Sequence, residues 1–280
     1  MPNSASQRTR IKPRAAERER WGNMNNETNL YPAGHIRYSF EMYAAYEQAI
    51  SCNLVHPAVR EIILEKVNPS DIFSPEWQMT IHFGPIHSIE DVDETGDAIK
   101  DELFDMLSFT LNTRIAGIRL TGHGLTPRSG EGGIAHLLLP PLRCNASAKV
   151  GCFPLSEDSV KQVQNTLSRT SDPRYKALIG LFRHAISTDE PIVQFLILYL
   201  ILYDTYRNQH KVDKQILSHA PTTPQSVSPH DGKTETIYTR LRNELTHRTA
   251  GSPETTRKEI MNNLDSFRTI VHRIIESSAP

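Results

Sequence analysis

The stretch IVQFLILYLILY, Ile192 to Tyr203, is almost wholly apolar, and its reading decides the fold. A membrane-spanning helix needs about 20 such residues. Here Asp189-Glu190 closes the run on one side and Asp204 on the other. The reading is a helix inside a bundle, buried and apolar nearly all round, in a protein with no membrane span. Asp172-Pro173 opens the helix before it, with Pro in the first turn, running past Leu178, Leu181 and Phe182 to about Ser187. Asp189-Glu190-Pro191 opens the apolar helix itself, which is read to about Asn208.

Beyond it, residues 211–233 carry Pro221, Pro224 and Pro229 among Ser, Thr, His and Gln. They read as a long loop, and a loop of this length is often functional or disordered. A third helix is read from about Thr234 to Arg248, ended by Gly251. Ser252-Pro253 then supplies an N-cap and a first-turn Pro for a fourth. In that last helix Ile260, Leu264, Phe267, Val271 and Ile274 form one stripe, and Glu254 pairs with Lys258 one turn on.

Upstream the signals are mixed. Ser156-Glu157-Asp158-Ser159 opens a helix with acids in its first turn, so residues 156–280 are taken as a helical domain. Residues 31–155 are taken as a mixed α/β domain with a small sheet and no assignable role. Within it, residues 35–68 hold helix-compatible segments, around Tyr38, Phe40, Tyr43 and Tyr46 and again from Val59 to Val67. Trp77 to Phe83 places large residues at alternate positions, the pattern of a strand. Glu90, Asp91, Asp93 and Glu94 read as an acidic loop. Ile99 to Leu111 has helical spacing, and Ile115 to Leu120 reads as extended. A flexible loop, Arg128 to Gly133, and a short apolar run, Ile134 to Leu139, follow. The fold class is therefore α+β.

Residues 1–30 are polar, rich in Asn and Arg, and expected to be disordered. Arg8, Arg10, Lys12, Arg14, Arg18 and Arg20 precede no apolar segment, which argues against a secretory signal. Met24 is an alternative start. Lys and Arg together number 31 against 32 for Asp and Glu. Such a balance disfavours coating of nucleic acid through bulk charge, although a localised basic site could still bind RNA. Three cysteines, Cys52, Cys144 and Cys152, have no zinc-finger spacing and read as ordinary thiols of a cytoplasmic protein.

One constellation carries chemistry: Arg242-Asn243-Glu244-Leu245-Thr246-His247, on the third helix. At about 100° per residue, Ile237, Leu241 and Leu245 fall on one stripe facing the bundle. His247 lies roughly opposite that stripe, with Asn243 one turn before it, and Arg242 on the flank about 140° from His247. Polar residues on a helix face are most often solvated or interface surface, so the setting has to add weight. The motif fits R-x4-H, and it sits on the third of four helices, after a long loop and before a long terminal helix. In this the last hundred residues resemble the HEPN superfamily.

That resemblance implies a C-terminal HEPN-like four-helix bundle that forms a homodimer and brings two such motifs together. It also implies RNA binding, or metal-independent RNA cleavage with no cofactor. Arg242 would serve the phosphate and His247 the proton transfer, with Asn243 orienting His247 or touching phosphate. The whole chain is also similar to MauJ-type methylamine-utilization proteins. That likeness rests on Leu241 to His247, Arg183-His184-Ala185, the Phe195 to Asp204 helix and the Leu103 to Leu120 segment. It implies instead a non-catalytic accessory or assembly role.

Other signals are weaker. His82 and His87 lack a third ligand of matching placement. Arg128-Ser129-Gly130-Glu131-Gly132-Gly133 lacks the ending of a P-loop. Tyr206 to His210 reads as a helix C-terminus, with a cationic end that could lie near Arg242.

Overall fold

From Gly34 to Glu41 the side chains alternate. Ile36, Tyr38 and Phe40 are buried in the core, while His35, Arg37 and Ser39 lie on the opposite side of the strand. The chain is seen here as a computed structural model that describes residues 30–68, 70–71, 74–127, 153–168, 172–229, 232–247 and 253–278. The expectations for residues 1–29, for Arg128 to Gly133, for Ile134 to Leu139, and for Cys144, Cys152, Gly251 and Ser252 lie outside the described residues.

The alternating segment is β1 (Gly34–Glu41), followed by β2 (Ala44–Ala45), β3 (Ile50–Cys52), β4 (Val59–Lys66) and β5 (Glu76–Phe83). Next come α1 (Ile89–Thr110) and β6 (Ala116–Leu125). Strands β3-β4-β5-β1-β6, in that order, form an antiparallel five-stranded sheet. The helix-compatible reading of residues 35–68 is thus corrected to strands. Trp77, Met79, Ile81 and Phe83 of β5 join Ile62 and Leu64 of β4 on the face that α1 covers. Pairing of β1 and β4 with β5 on either side decides the strand conformation over local helix compatibility.

The acidic segment is corrected as well: it is the first turns of α1 and not a loop. Ser88 caps the helix, its Oγ accepting from the Asp91 amide at 3.2 Å, and Glu90 and Asp91 lie in the first turn. Acids are favoured there by the helix dipole. Asp93 accepts a hydrogen bond from Nδ1 of His123 at 2.6 Å, tying edge strand β6 to α1. Gly96 lets α1 approach β1 closely. A Cβ there would lie 2.7 Å from Ile36 Cδ1.

The remaining elements are β7 (Phe153–Pro154), α2 (Glu157–Leu167), α3 (Pro173–Ser187), α4 (Pro191–Tyr206), α5 (Gln209–His219), β8 (Gln225–Val227), β9 (Thr234–Thr236), α6 (Ile237–His247) and α7 (Pro253–Ser277). Helical character sets in at Ser156 as expected, but Val160, Val163 and Leu167 of α2 pack into the sheet core. A second core begins with α3 and gathers α3, α4, α5, α6 and α7. The long-loop reading of residues 211–233 is corrected to α5 followed by a β8–β9 hairpin. Asn208 caps α5, accepting from the Lys211 amide at 3.2 Å. Only Val212 and Ile216 among its apolar residues are buried, too thin a stripe to register as helical periodicity.

The apolar helix α4 is also corrected. Phe195, Leu198, Tyr199, Ile201 and Leu202 are buried, but Val193, Leu196, Leu200 and Tyr203 are exposed along the other side. The helix is therefore not buried all round. Among the described residues, no helix is long and apolar enough to cross a membrane.

The two cores share α1. Its last turn places Phe109 in the helical core, edge-on to Phe182 at 5.4 Å and stacked on the His272 ring at 4.4 Å. Alongside, Arg183 of α3 reaches Asp105 of α1 at 2.6 Å, and Lys176 reaches Glu102 at 2.5 Å. Gly180 opens the space for Asp105, whose Oδ2 would lie 2.9 Å from a Cβ at that position.

His272 Nε2 donates to the Phe109 carbonyl at 2.8 Å, and burial holds its pKa below the usual 6.5. The unfolded chain therefore takes up the proton first as pH falls. The stability contributed by neutral His272 is complete above about pH 6.5 and is lost as pH falls towards the folded value. His272→Gln keeps an amide donor but does not titrate. The Tm advantage of wild type over this variant should shrink as pH is lowered from about 8 to about 5.5. A pH-independent gap in thermal melts would contradict this account.

Candidate functional site

The polar residues of α6 divide between two neighbours. Glu244 turns towards α7, accepting from Arg240 Nη1 at 2.5 Å and from Thr256 Oγ1 at 2.8 Å. Arg240 also pairs with Glu259 of α7. These contacts are structural, clamping α6 to α7. Leu241 is buried in the helical core and Leu245 packs against it, as the helical stripe predicts. Thr246 is exposed, its hydroxyl donating to the carbonyls of Arg242 and Asn243 at 3.1 and 3.2 Å.

Arg242 and Asn243 face the other way. Arg242 is half-buried, its guanidinium carbon 5.8 Å from the centre of the Tyr199 ring and 6.0 Å from that of Tyr203. Both rings belong to α4. A cation over an aromatic face is held there by the ring quadrupole. The Nη1 group also donates to Asn243 Oδ1 at 3.1 Å. Asn243 in turn donates through Nδ2 to Glu235 Oε2 at 2.9 Å, an oxygen that also accepts from Gln209 Nε2 at 3.4 Å. Glu235 is 4% exposed. Thus both ends of the Asn243 amide are engaged, one with Arg242 and the other with Glu235.

His247 is the last residue of α6, and its side chain lies outside the described residues. Helix α6 does carry Arg242, Asn243 and His247 on one continuous element.

Beneath this cluster lies a buried network that sets the start of α6. Oδ1 of Asp213, from α5, accepts from the Thr236 amide at 3.1 Å, the Thr236 hydroxyl at 2.7 Å and the Thr239 hydroxyl at 2.6 Å. The Thr239 hydroxyl spends its one proton on Asp213, so the Tyr199 hydroxyl, 3.0 Å away, donates to it. Burial pushes the Tyr199 phenol up to about 12, with Asp213 and Glu235 adding to the rise and Thr239 and Arg242 opposing it. Tyr199 stays a neutral donor at any physiological pH.

These partners were not found by sequence reasoning. Tyr199 and Tyr203 read as core, and Asp213 sat in a stretch taken as loop. The Thr236-x-x-Thr239 spacing at the helix start is the signal that could have pointed to a buried cap. Arg207, expected at the end of α4, caps that helix in the left-handed region at φ 54° and pairs with Asp204 at 2.6 Å. His82 sits opposite His35 on the neighbouring strand β1, with 6.3 Å between ring centres. Among the described residues, no group of three or more His, Cys, Asp and Glu gathers to hold a metal.

Compared with known proteins, the chain matches no family model, no curated protein and no solved structure.

The capping network gives a direct test. Asp213→Ala leaves an amide and two hydroxyls buried without their acceptor, which should cost on the order of 3 kcal/mol of stability in urea unfolding. Asp213→Asn retains one acceptor oxygen and should cost less. Equal, negligible losses for both would show that Asp213 does not hold the start of α6.

Proposed function

We propose that α3, α4, α6 and α7 form a HEPN-like four-helix bundle whose Arg242 surface binds RNA. The observation that supports it most is the mounting of Arg242. Two tyrosine rings and an Asn243–Glu235 relay hold a cationic fork half-buried. A side chain kept only for solubility would not need such a mounting. A preorganised guanidinium recognises a phosphate diester with two parallel donors and loses little side-chain entropy in doing so.

On this reading the R-x4-H spacing supports cleavage through the ribose itself. The 2′ oxygen bonds to phosphorus while the bond to the 5′ oxygen breaks. One proton leaves the 2′-hydroxyl and another reaches the departing oxygen. His247 makes one of these transfers, a role suited to an imidazole near neutral pH. Arg242 stabilises the charge that builds on the phosphorane. Asn243 acts through Arg242 as a positioning residue.

The second reading is an accessory or assembly role without catalysis, as the likeness to MauJ-type proteins implies. The exposed apolar side of α4 favours it, because such a stripe is suited to a protein partner.

RNA binding and cleavage by the purified chain in EDTA separate the two. Arg242→Ala should weaken binding of single-stranded RNA tenfold or more, about what one charge-assisted contact contributes. Arg242→Lys should recover only part of it. His247→Ala should abolish cleavage and leave binding within a few-fold of wild type. A wild type that neither binds nor cleaves a broad RNA panel would sink the RNA reading and leave the accessory one.

A further inference from the structure

On α4, Val193, Leu196, Leu200 and Tyr203 are 43%, 37%, 53% and 39% exposed. They follow one another at intervals of three, four and three residues, so they share one side of the helix over about 15 Å. Intervals of three and four are those of a helix-pairing seam, in which apolar knobs of one helix seat between those of another. The opposite side of α4 is already committed to the core through Phe195, Leu198, Tyr199 and Leu202. An apolar stripe of this kind, left in water, marks a contact surface.

The order of the intervals matters. Three, four, three reads the same in both directions, so the stripe complements its own copy run antiparallel. Val193 then falls opposite the partner's Tyr203, and Leu196 opposite the partner's Leu200. The same register brings Asp189, just before α4, opposite the partner's Arg207, just after it. Both are well exposed, with side chains at 82% and 76%. Each already has an opposite charge beside it, Arg114 for Asp189 and Asp204 for Arg207. Pairing would set these doublets against each other with signs alternating. A parallel arrangement would instead set Asp189 against Asp189 and Arg207 against Arg207, like charges that select against it.

We propose that α4 docks antiparallel on α4 of a second copy of this chain, through Val193, Leu196, Leu200 and Tyr203, as an isologous two-fold interface. The pairing does not depend on RNA binding, but it bears on the Arg242 surface. Tyr203 is both a seam residue and one of the two rings against Arg242. Because Tyr203 faces the partner's Val193, the two Tyr203 rings lie on the order of 15 Å apart along the seam.

Sedimentation equilibrium of the full chain tests the interface. Wild type should be a dimer at micromolar concentration. Leu200→Glu, a change at a half-exposed site, should raise the dimer dissociation constant a hundredfold or more while far-UV circular dichroism stays unchanged. Val193→Glu should act in the same direction and stands in if Leu200→Glu fails to fold. Orientation is read by mixing two differently tagged chains, one with Leu196→Cys and one with Leu200→Cys, under mild oxidation. The disulfide joining unlike chains should dominate over those joining like chains. A monomeric wild type, a Leu200→Glu chain that stays as dimeric as wild type, or a predominance of like-chain disulfides would each overturn the proposal. A monomer would leave the stripe to a different protein.

Discussion

The burial of Phe109 joins the two halves of this molecule. It stands in the last turn of a 22-residue helix whose earlier turns lie under the sheet, yet its ring is part of the helical core. His272 stacks on that ring and donates to its carbonyl, so the terminal helix is bound to the end of α1 by both an apolar and a polar contact. A helix resists bending over this length. Fixing both its ends in separate cores fixes the sheet and the helices relative to one another. Arg183 and Asp105 reinforce the joint, and burial raises the Asp105 carboxyl despite the guanidinium beside it. The pair stays together because removing either partner would leave a half-buried group without its match.

The Arg242 surface rests on the same logic one layer further out. Its position depends on where α6 begins, and that start is set by one carboxylate from a different helix. Asp213 meets three donors at the head of α6, and the donor chain continues through Thr239 to Tyr199 on α4. The ring of Tyr199 then supports the guanidinium of Arg242. A buried network of this kind is stabilising only when every member is satisfied. Three helices and a short hairpin therefore converge on a single cation. The two faces of α4 serve different ends: one forms the core, and the other leaves an apolar seam that runs up to the Arg242 surface.

Much of this was legible in the sequence. The Pro173 and Pro191 helix starts, the strand at Trp77 to Phe83 and the terminal helix all follow from local capping and periodicity, which act within a few residues. So does the inward stripe of α6 at Leu241 and Leu245. Arg242 and Asn243 could be singled out by their spacing. Strand β1 carried a local signal, the alternation of Ile36, Tyr38 and Phe40, that the helix-compatible reading passed over. Strand β4, with Ile62-Ile63-Leu64 in a run, shows no clean alternation and is fixed as a strand by its pairing with β5. Helix α5 was hidden for another reason: two buried apolar residues in eleven make no visible stripe.

The sequence alone determined the α+β class, the helical second half and the polar motif on α6, because N-caps, prolines and apolar periodicity express themselves within one or two turns. Only the tertiary structure decided which face of α4 is covered, and that Asp213 and Glu235 converge with Tyr199 around Arg242. Contacts of that kind join residues up to 43 positions apart, as Tyr199 and Arg242 are, and require the backbone to be in place first. Burial, unlike propensity, belongs to the assembled fold and not to any single segment.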